Sequence, residues 1–168
     1  MKILRKIQIN ASAEAVWQVL GRDFDRADEW MAVVQNSYQK VEGISVAGAP
    51  MIGRICELSH KPTGPVADET ITFFDDENYR MHMRVSPIQG KVPVVKNEVE
   101  ISVKSLGPDL AEVSWDADLE LKTAGKLLYP ALKAGVGKSF MEVLEELKHF
   151  LETGKPHPRK LAKLAKAA

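Results

Sequence analysis

The spacing of the apolar residues changes once along this chain, and that change constrains the fold more than any other feature. Before residue 124, short runs carry apolar residues at every second position, as β-strands do, and turn-forming residues separate them. From residue 124 to 152 the apolar residues recur every third or fourth position, which is typical of one long amphipathic helix. The strand-like runs cover residues 2–9, 34–41, 51–58, 66–74, 79–86, 95–105 and 111–121. The sequence therefore predicts an α+β fold, in which a curved antiparallel sheet of about seven strands wraps around this helix.

Two shorter helical segments are predicted directly after the first strand. Ser12 can cap a helix over residues 13–20, which Gly21 is expected to end, and residues 23–31 favour a second short helix or turn. A long helix beside a curved sheet can enclose a pocket. Residues 1–154 are therefore expected to form a single ligand-binding domain, and residues 155–168 a basic, solvated tail that is disordered or partly helical.

Composition and charge restrict the classes of function. The formal net charge is zero, so no global field attracts nucleic acid. No run approaches the roughly 18 apolar residues of a membrane span, so no integral membrane association is expected. The single cysteine, Cys56, excludes an internal disulfide and fits a cytoplasmic location. No histidine or cysteine spacing indicates a metal site, no cofactor is expected, and a homodimer is compatible with the sequence.

Two charged residues stand alone on otherwise apolar strand faces. Alternate positions read Ile52, Arg54, Cys56, Leu58 in one run and Ala67, Glu69, Ile71, Phe73 in the next. A buried charge is costly unless it is paired or hydrogen-bonded, so both charges indicate a polar spot inside a cavity. Arg54 and Glu69 are candidates to anchor a ligand or, for Glu69, to act as a general base. The alternatives are a structural ion pair that closes the cavity floor, or a register that places both residues outside.

Other inward positions are candidates for the cavity wall. Met81, Met83 and Val85 share one strand face, where methionines can adapt to an irregular ligand or simply pack a core. Trp30 and Trp115 can likewise either line the cavity or pack in the core. The predicted ligand-binding residues are Trp30, Arg54, Cys56, Leu58, Glu69, Ile71, Met81, Met83, Val85, Asn97, Trp115, Val136, Phe140 and Val143.

With this order of elements, residues 2–153 resemble the START/Bet v 1-like superfamily, also known as the SRPBCC or polyketide cyclase/dehydrase group. The residues that carry the resemblance are Ala13 to Trp17, Trp30, Gly53 with Arg54 and Glu57, Glu69 with Asp75 and Asp76, Pro93 with Lys96 and Asn97, Val113 with Trp115, and Leu144 with Leu147 and Lys148. The resemblance implies a helix-grip fold that binds an apolar or amphipathic small molecule. It also implies that residues 59–65 and 86–92 form loops at the cavity mouth.

At one position the chain departs from these relatives. They often have Asn-Tyr after the proline, where this chain has Asn97 and Glu98. The alternation with Val99 makes Asn97 the inward residue, whereas the motif favours Glu98, and a bulge can settle the register either way. The missing tyrosine argues against a mechanism that needs a phenol there.

These observations lead to two hypotheses about function, which belong to different classes. The first is binding or carrying of a lipid-, aromatic- or polyketide-like molecule in the cavity. The second is a cyclase, dehydratase or isomerase that acts on such a molecule, with Glu69 as general base and Arg54 stabilising an enolate-like oxygen. The geometry of the two charged groups separates these hypotheses, because a base that faces open cavity favours catalysis and a closed ion pair favours binding.

Overall fold

The computed structural model describes residues 1–89, 94–122 and 129–165. In these residues seven strands form one sheet: β1 Lys2–Ile9, β2 Asn36–Gln39, β3 Gly53–Glu57, β4 Val66–Asp75, β5 Arg80–Gln89, β6 Val94–Gly107 and β7 Leu110–Leu121. The order across the sheet is β1-β7-β6-β5-β4-β3-β2, and neighbouring strands are antiparallel. The predicted fold class is confirmed.

Two short helical segments follow β1. Helix α1, Ala13–Trp17, is capped by Ser12 Oγ, which accepts a hydrogen bond from the Ala15 amide, and it continues as a π-helical turn, Gln18–Arg22. Helix α2, Phe24–Glu29, is a 3-10 helix. The prediction that Gly21 ends the first helix was wrong. A Cβ atom at Gly21 would lie 2.6 Å from the Trp17 ring, so the glycine lets the turn pack directly on that indole.

The long helix of the second half is α3, Tyr129–Thr153. Its predicted start at residue 124 lies outside the described residues, as do residues 90–92 of the second predicted mouth loop. Arg5 of β1 reaches α3, where its Nε donates to the Gly137 carbonyl at 2.9 Å. A Cβ atom at position 137 would overlap the Arg5 guanidinium, so this glycine permits the close approach.

A fourth helix, α4 Pro158–Ala165, follows α3. The expectation of a solvated tail does not hold for Lys160, which is only 2% exposed, although most other residues of α4 are exposed. Lys160 Nζ donates to the Val34 carbonyl at 2.5 Å, and Arg159 bonds to acidic side chains of α3. Arg159 and Lys160 therefore form the packed face of α4.

Packing divides the concave face of the sheet into a filled end and a hollow end. At the filled end, the Trp17 ring lies 5.3 Å from Phe74, and Trp17 Nε1 donates to Asp76 at 2.8 Å. Met81 and Ile71 are buried beside them. The next inward positions along the same strands face open space instead. Side chains from the short helical segments thus fill one end of the concave face, and the cavity begins where that packing ends.

Candidate functional site

A cavity of about 560 Å³ lies between the hollow end of the sheet, α3 and α4. Its walls are contributed by the segment after α2, by five neighbouring strands or their ends, and by both C-terminal helices. The lining residues are Met31, Ala32, Val33, Val34, Arg54, Leu58, Ala67, Glu69, Met83, Val85, Asn97, Val99, Trp115, Ser139, Phe140, Glu142, Val143, Glu146, Arg159, Ala162 and Lys163. This volume lies within the range that holds drug-sized molecules.

Arg54 and Glu69 form an ion pair in the cavity wall. They lie directly opposite each other on β3 and β4, and Glu69 Oε2 accepts from Arg54 Nε at 2.7 Å and contacts Nη2 at 2.6 Å. Arg54 Nη1 donates to the Phe24 carbonyl at 2.6 Å, and its guanidinium stacks 4.0 Å from the Phe24 ring centre. Burial disfavours the charged form of Arg54, but the attraction of Glu69 outweighs it and raises the pKa of Arg54.

The structure brings part of the predicted site together around the cavity. Among the predicted positions, those that line it are Arg54, Leu58, Glu69, Met83, Val85, Asn97, Trp115, Phe140 and Val143. Phe140 and Val143 remain partly exposed because they face this space rather than packed side chains.

The remaining predicted positions do not line the cavity, which corrects the prediction for each of them. Trp30, Cys56, Ile71 and Met81 are 2% exposed or less and belong to the packed core. Val136 is partly buried against that core. These side chains share the inward face of their elements, but neighbouring side chains already fill the space in front of them.

The first predicted mouth loop also lies elsewhere. Ser59, His60, Lys61 and Pro62 line a separate depression of about 400 Å³, together with residues of β2, β3 and β4. No residue of the loop 59–65 lines the cavity, whereas Leu58, just before that loop, does. The loop turns away because Gln89 holds it, donating through Nε2 to the carbonyls of Pro62 and Gly64 at 2.8 Å.

Cys56 is a buried thiol behind the wall, 0% exposed, with its Sγ 3.8 Å from Ser37 Oγ. Burial, reinforced by the negative charge of Glu69, raises the pKa of the Cys56 thiol from 9.0 to about 12. A thiol that stays protonated is a poor nucleophile, so Cys56 behaves as a small apolar residue.

This pKa predicts a pH dependence of stability. Above pH 9 the unfolded chain loses the Cys56 proton while the folded chain keeps it, so the free energy of unfolding falls as pH rises toward 12. The full contribution of this group is about 4 kcal/mol. Urea unfolding from pH 8.5 to 11 should therefore show a shallower decline in Cys56→Ala than in the wild type. Parallel declines would contradict the buried, protonated thiol.

Asn97 faces the cavity, and Glu98 faces outward. On β6, Asn97 pairs with Val85 and Glu98 with Arg84, without a register shift between them. Glu98 Oε1 accepts from Arg84 Nε at 2.8 Å on the outer face of the sheet. The alternation with Val99 therefore predicts the orientation correctly, and the family motif does not.

Two buried polar atoms in this wall have no hydrogen-bond partner among the described residues, Asn97 Oδ1 and Trp115 Nε1. Their side chains are 9% and 6% exposed. The Trp115 ring also lies 6.1 Å from Phe140 of α3. The sheet side of the wall is therefore largely apolar, and its polar residues are Asn97, Trp115 and the ion pair.

Helix α4 completes the cavity through Arg159, Ala162 and Lys163, which share one helix face at i, i+3 and i+4. Arg159 Nε donates to Glu146 Oε1 at 2.9 Å, and its Nη2 donates to Glu145 Oε2 at 2.8 Å. Glu146 Oε2 accepts from the Ala32 amide at 2.8 Å, so this buried carboxylate joins α4, α3 and the segment after α2.

Sequence reasoning missed this α4 contribution and the 31–34 segment. A signal was present, because the acids at 142, 145 and 146 and the bases at 159 and 163 have helical spacing on each side of the break at Gly154 and Pro156. Ala32 and Val34 carry no comparable signal, since their segment lies between elements.

The fold and this cavity define the helix-grip class, in which a curved sheet and a long C-terminal helix surround a ligand space. The model of the family described as polyketide cyclase/dehydrase and lipid transport matches residues 1–152. The chain belongs to that family. Helix α4 lies beyond the matched region.

Solved structures share the fold at low sequence identity. A START superfamily protein from Mycobacterium smegmatis is 18% identical, with TM-score 0.71 over 90% of this chain and 97% of that one. The protein TTHA0849 from Thermus thermophilus is 15% identical, with TM-score 0.68 over 92% and 99%. The di-domain ARO/CYC BexL from the BE-7585A biosynthetic pathway is 14% identical, with TM-score 0.69 over 90% of this chain and 46% of that one. The comparison with curated proteins found no match.

No helix within the described ranges is long and apolar enough to cross a membrane.

Proposed function

We propose that this protein binds or carries a hydrophobic or amphipathic small molecule, of lipid-, aromatic- or polyketide-like character, in the cavity between sheet and α3. The observation that carries this proposal is the cavity of about 560 Å³ and its largely apolar wall. Met31, Val34, Met83 and Val99 offer apolar surface from different sides. Binding is favoured by about 25 cal/mol of free energy for each Å² of apolar surface that is removed from water. Such a wall therefore favours binding, whether or not a reaction follows.

One carboxylate oxygen of Glu69 is committed to the ion pair with Arg54, which favours binding over catalysis. A general base needs an oxygen free to approach a substrate proton. Glu69 Oε2 is not free, because it accepts from Arg54 Nε and contacts Nη2, and that guanidinium is itself held by the Phe24 carbonyl. Glu69 Oε1 has no hydrogen-bond partner among the described residues, so proton transfer would have to use that oxygen. The cyclase, dehydratase or isomerase hypothesis therefore depends on Oε1 of Glu69 alone.

The cytoplasm is the proposed location, because a single buried thiol needs no oxidising compartment. The partner is the small molecule, and binding requires neither nucleic acid nor a second copy of the chain, although a homodimer is compatible with the fold.

The proposal is tested with N-phenyl-1-naphthylamine, a neutral apolar dye whose fluorescence rises in apolar surroundings. The wild type should bind one dye per chain with a micromolar dissociation constant, and hexadecanoic acid or an aromatic hydrocarbon should compete for it. Native mass spectrometry of the purified protein would then identify any molecule that has co-purified. Failure of the folded protein to bind the dye would overturn the proposal.

Replacing Arg159 with alanine is expected to release the bound dye about tenfold faster, because α4 loses its charged hydrogen bonds to α3. Stopped-flow dilution measures this rate. Lys155→Ala is the matched control, since it removes a basic side chain of the same region that is exposed. Equal release rates for Arg159→Ala and the wild type would show that α4 does not close the cavity.

A further inference from the structure

A histidine side chain caps the N-terminus of α4. His157 Nδ1 accepts a hydrogen bond from the Arg159 amide at 3.1 Å. The His157 carbonyl accepts from the amides of Lys160 and Leu161, which closes the first turn. Pro158 occupies the first helical position, where a backbone N–H has no helical partner to lose. Only an unprotonated Nδ1 can accept a hydrogen bond, so this cap exists while the imidazole is neutral.

The surroundings of His157 oppose a positive charge on its ring. Partial burial, followed by the positive charge of Arg159 and by His149, lowers the pKa of His157 below its ordinary value of 6.5. His149 belongs to α3, and its ring centre lies 5.1 Å from that of His157. Glu145 and Glu146 of α3 act in the opposite direction, but both already bond to Arg159. The positive end of the helix dipole also repels a cation at this position.

The docking of α4 is weak, so the loss of one capping bond can release it. Residues 161–165 are all exposed. Lys160 is buried with its Nζ against the Val34 carbonyl, and burial lowers the pKa of Lys160, so its charge is docked at a cost. The helix has eight residues, which is too short to be stable in water without tertiary contacts. A protonated His157 is therefore expected to shift α4 toward an undocked state.

Undocking of α4 would open the cavity, because Arg159, Ala162 and Lys163 form part of its wall. We propose that His157 is a pH-sensitive cap, which holds α4 against the cavity at neutral pH and releases both the helix and the ligand when it is protonated. The release of the ligand rests on the proposed function, whereas the movement of α4 does not.

The direction of the pH dependence follows from the two protonation equilibria. His157 binds a proton more tightly when α4 is undocked, because its pKa then returns toward 6.5. Docking is therefore fully stabilised above pH 6.5 and becomes weaker as the pH falls below it. At pH 5.5, one unit below that value, His157 alone can shift the docking equilibrium by at most about tenfold. The loss of a helix cap is expected to shift it about fivefold.

Amide hydrogen exchange of the ligand-free protein tests the cap without any ligand. The protection factors of residues 160–165, corrected for the intrinsic pH dependence of exchange, report the opening of α4. In the wild type they should fall about fivefold between pH 7.5 and pH 5.5. Equal protection factors at the two pH values would overturn the inference.

Three variants assign the pH response to His157. His157→Asn keeps a side chain that caps helices but does not titrate, so α4 should stay protected at both pH values. His157→Ala loses the cap, so protection should be about fivefold lower than in the wild type at pH 7.5 and should no longer depend on pH. His149→Gln is the matched control, because it removes the neighbouring imidazole and leaves the cap intact. It should keep the wild-type response within about twofold. A full pH response in His157→Asn would contradict the assignment.

Dye release then tests the link to the cavity. N-phenyl-1-naphthylamine stays neutral in this pH range, so its own charge does not change. The wild type should release it about fivefold faster at pH 5.5 than at pH 7.5, and His157→Asn should release it at the same rate at both. If α4 loses protection at pH 5.5 but the release rate is unchanged, α4 does not control the cavity and the inference is overturned.

The two measurements separate this inference from the proposed function. If the folded protein binds no dye at pH 7.5, the proposed function is overturned, and ligand release by α4 with it. Hydrogen exchange still decides in that case whether His157 caps α4 in a pH-sensitive way. If the dye binds but α4 shows no pH response, the proposed function stands and the inference is overturned.

Discussion

Replacing Glu69 with glutamine is expected to lower the free energy of unfolding by about 3 kcal/mol. The side chain of Arg54 is 4% exposed and that of Glu69 13%, so the substitution leaves a cation buried without its counter-charge. The hydrogen bond of Arg54 to the Phe24 carbonyl remains but cannot neutralise that charge. Urea unfolding followed by tryptophan fluorescence measures the change.

The outer face of the same sheet provides a matched control. Glu98 forms a cross-strand pair with Arg84 at 2.8 Å, but these side chains are 38% and 53% exposed. Exposed pairs contribute little, so Glu98→Gln should change stability by less than about 0.5 kcal/mol. The double substitution Arg54→Met with Glu69→Leu removes both charges and should recover most of the lost stability. Equal small effects for Glu69→Gln and Glu98→Gln would contradict the buried pair.

Replacing Met83 with tryptophan is expected to weaken dye binding about 30-fold, or ~2 kcal/mol. Met83 is 1% exposed and lines the cavity from β5. A larger ring can enter the empty volume, so it occupies ligand space without the strain that it would cause in a packed core. Equilibrium titration with N-phenyl-1-naphthylamine measures the loss.

Met83→Leu is the control, because it keeps the volume and the apolar character of the side chain. It should bind the dye within about twofold of the wild type. If Met83→Trp folds and binds as tightly as the wild type, Met83 does not face the bound molecule.

Much of the fold follows from the spacing of apolar residues. Strand β1 spans Lys2–Ile9, the same bounds that alternation predicts, and the helical period predicts α3 where the structure describes it. The packing of helix α4 was not predicted, because its packed face carries Arg159 and Lys160 rather than apolar side chains. Their partners are a carboxylate and a carbonyl from distant segments, and those contacts exist only in the folded chain.

Part of the candidate site was predicted from the sequence, and there is a physical reason why the rest was not. Alternation identifies the inward face of a strand, so it correctly places Arg54, Glu69 and Asn97 toward the interior. It cannot distinguish an inward residue that faces a cavity from one that faces packed side chains. Met81 and Met83 share one face of β5, yet only Met83 lines the cavity, because Phe74 and Trp17 fill the core at the level of Met81.

The central claim is that one apolar molecule occupies the cavity between sheet, α3 and α4. The most direct test is NMR of the methionine methyl groups during titration with N-phenyl-1-naphthylamine. Met31 and Met83 line the cavity, whereas Met51 and Met81 are also buried but lie outside it. The account predicts that the largest shifts occur at Met31 and Met83 and saturate at one dye per chain. Shifts that are largest at Met51, or a spectrum unchanged by the dye, would contradict it.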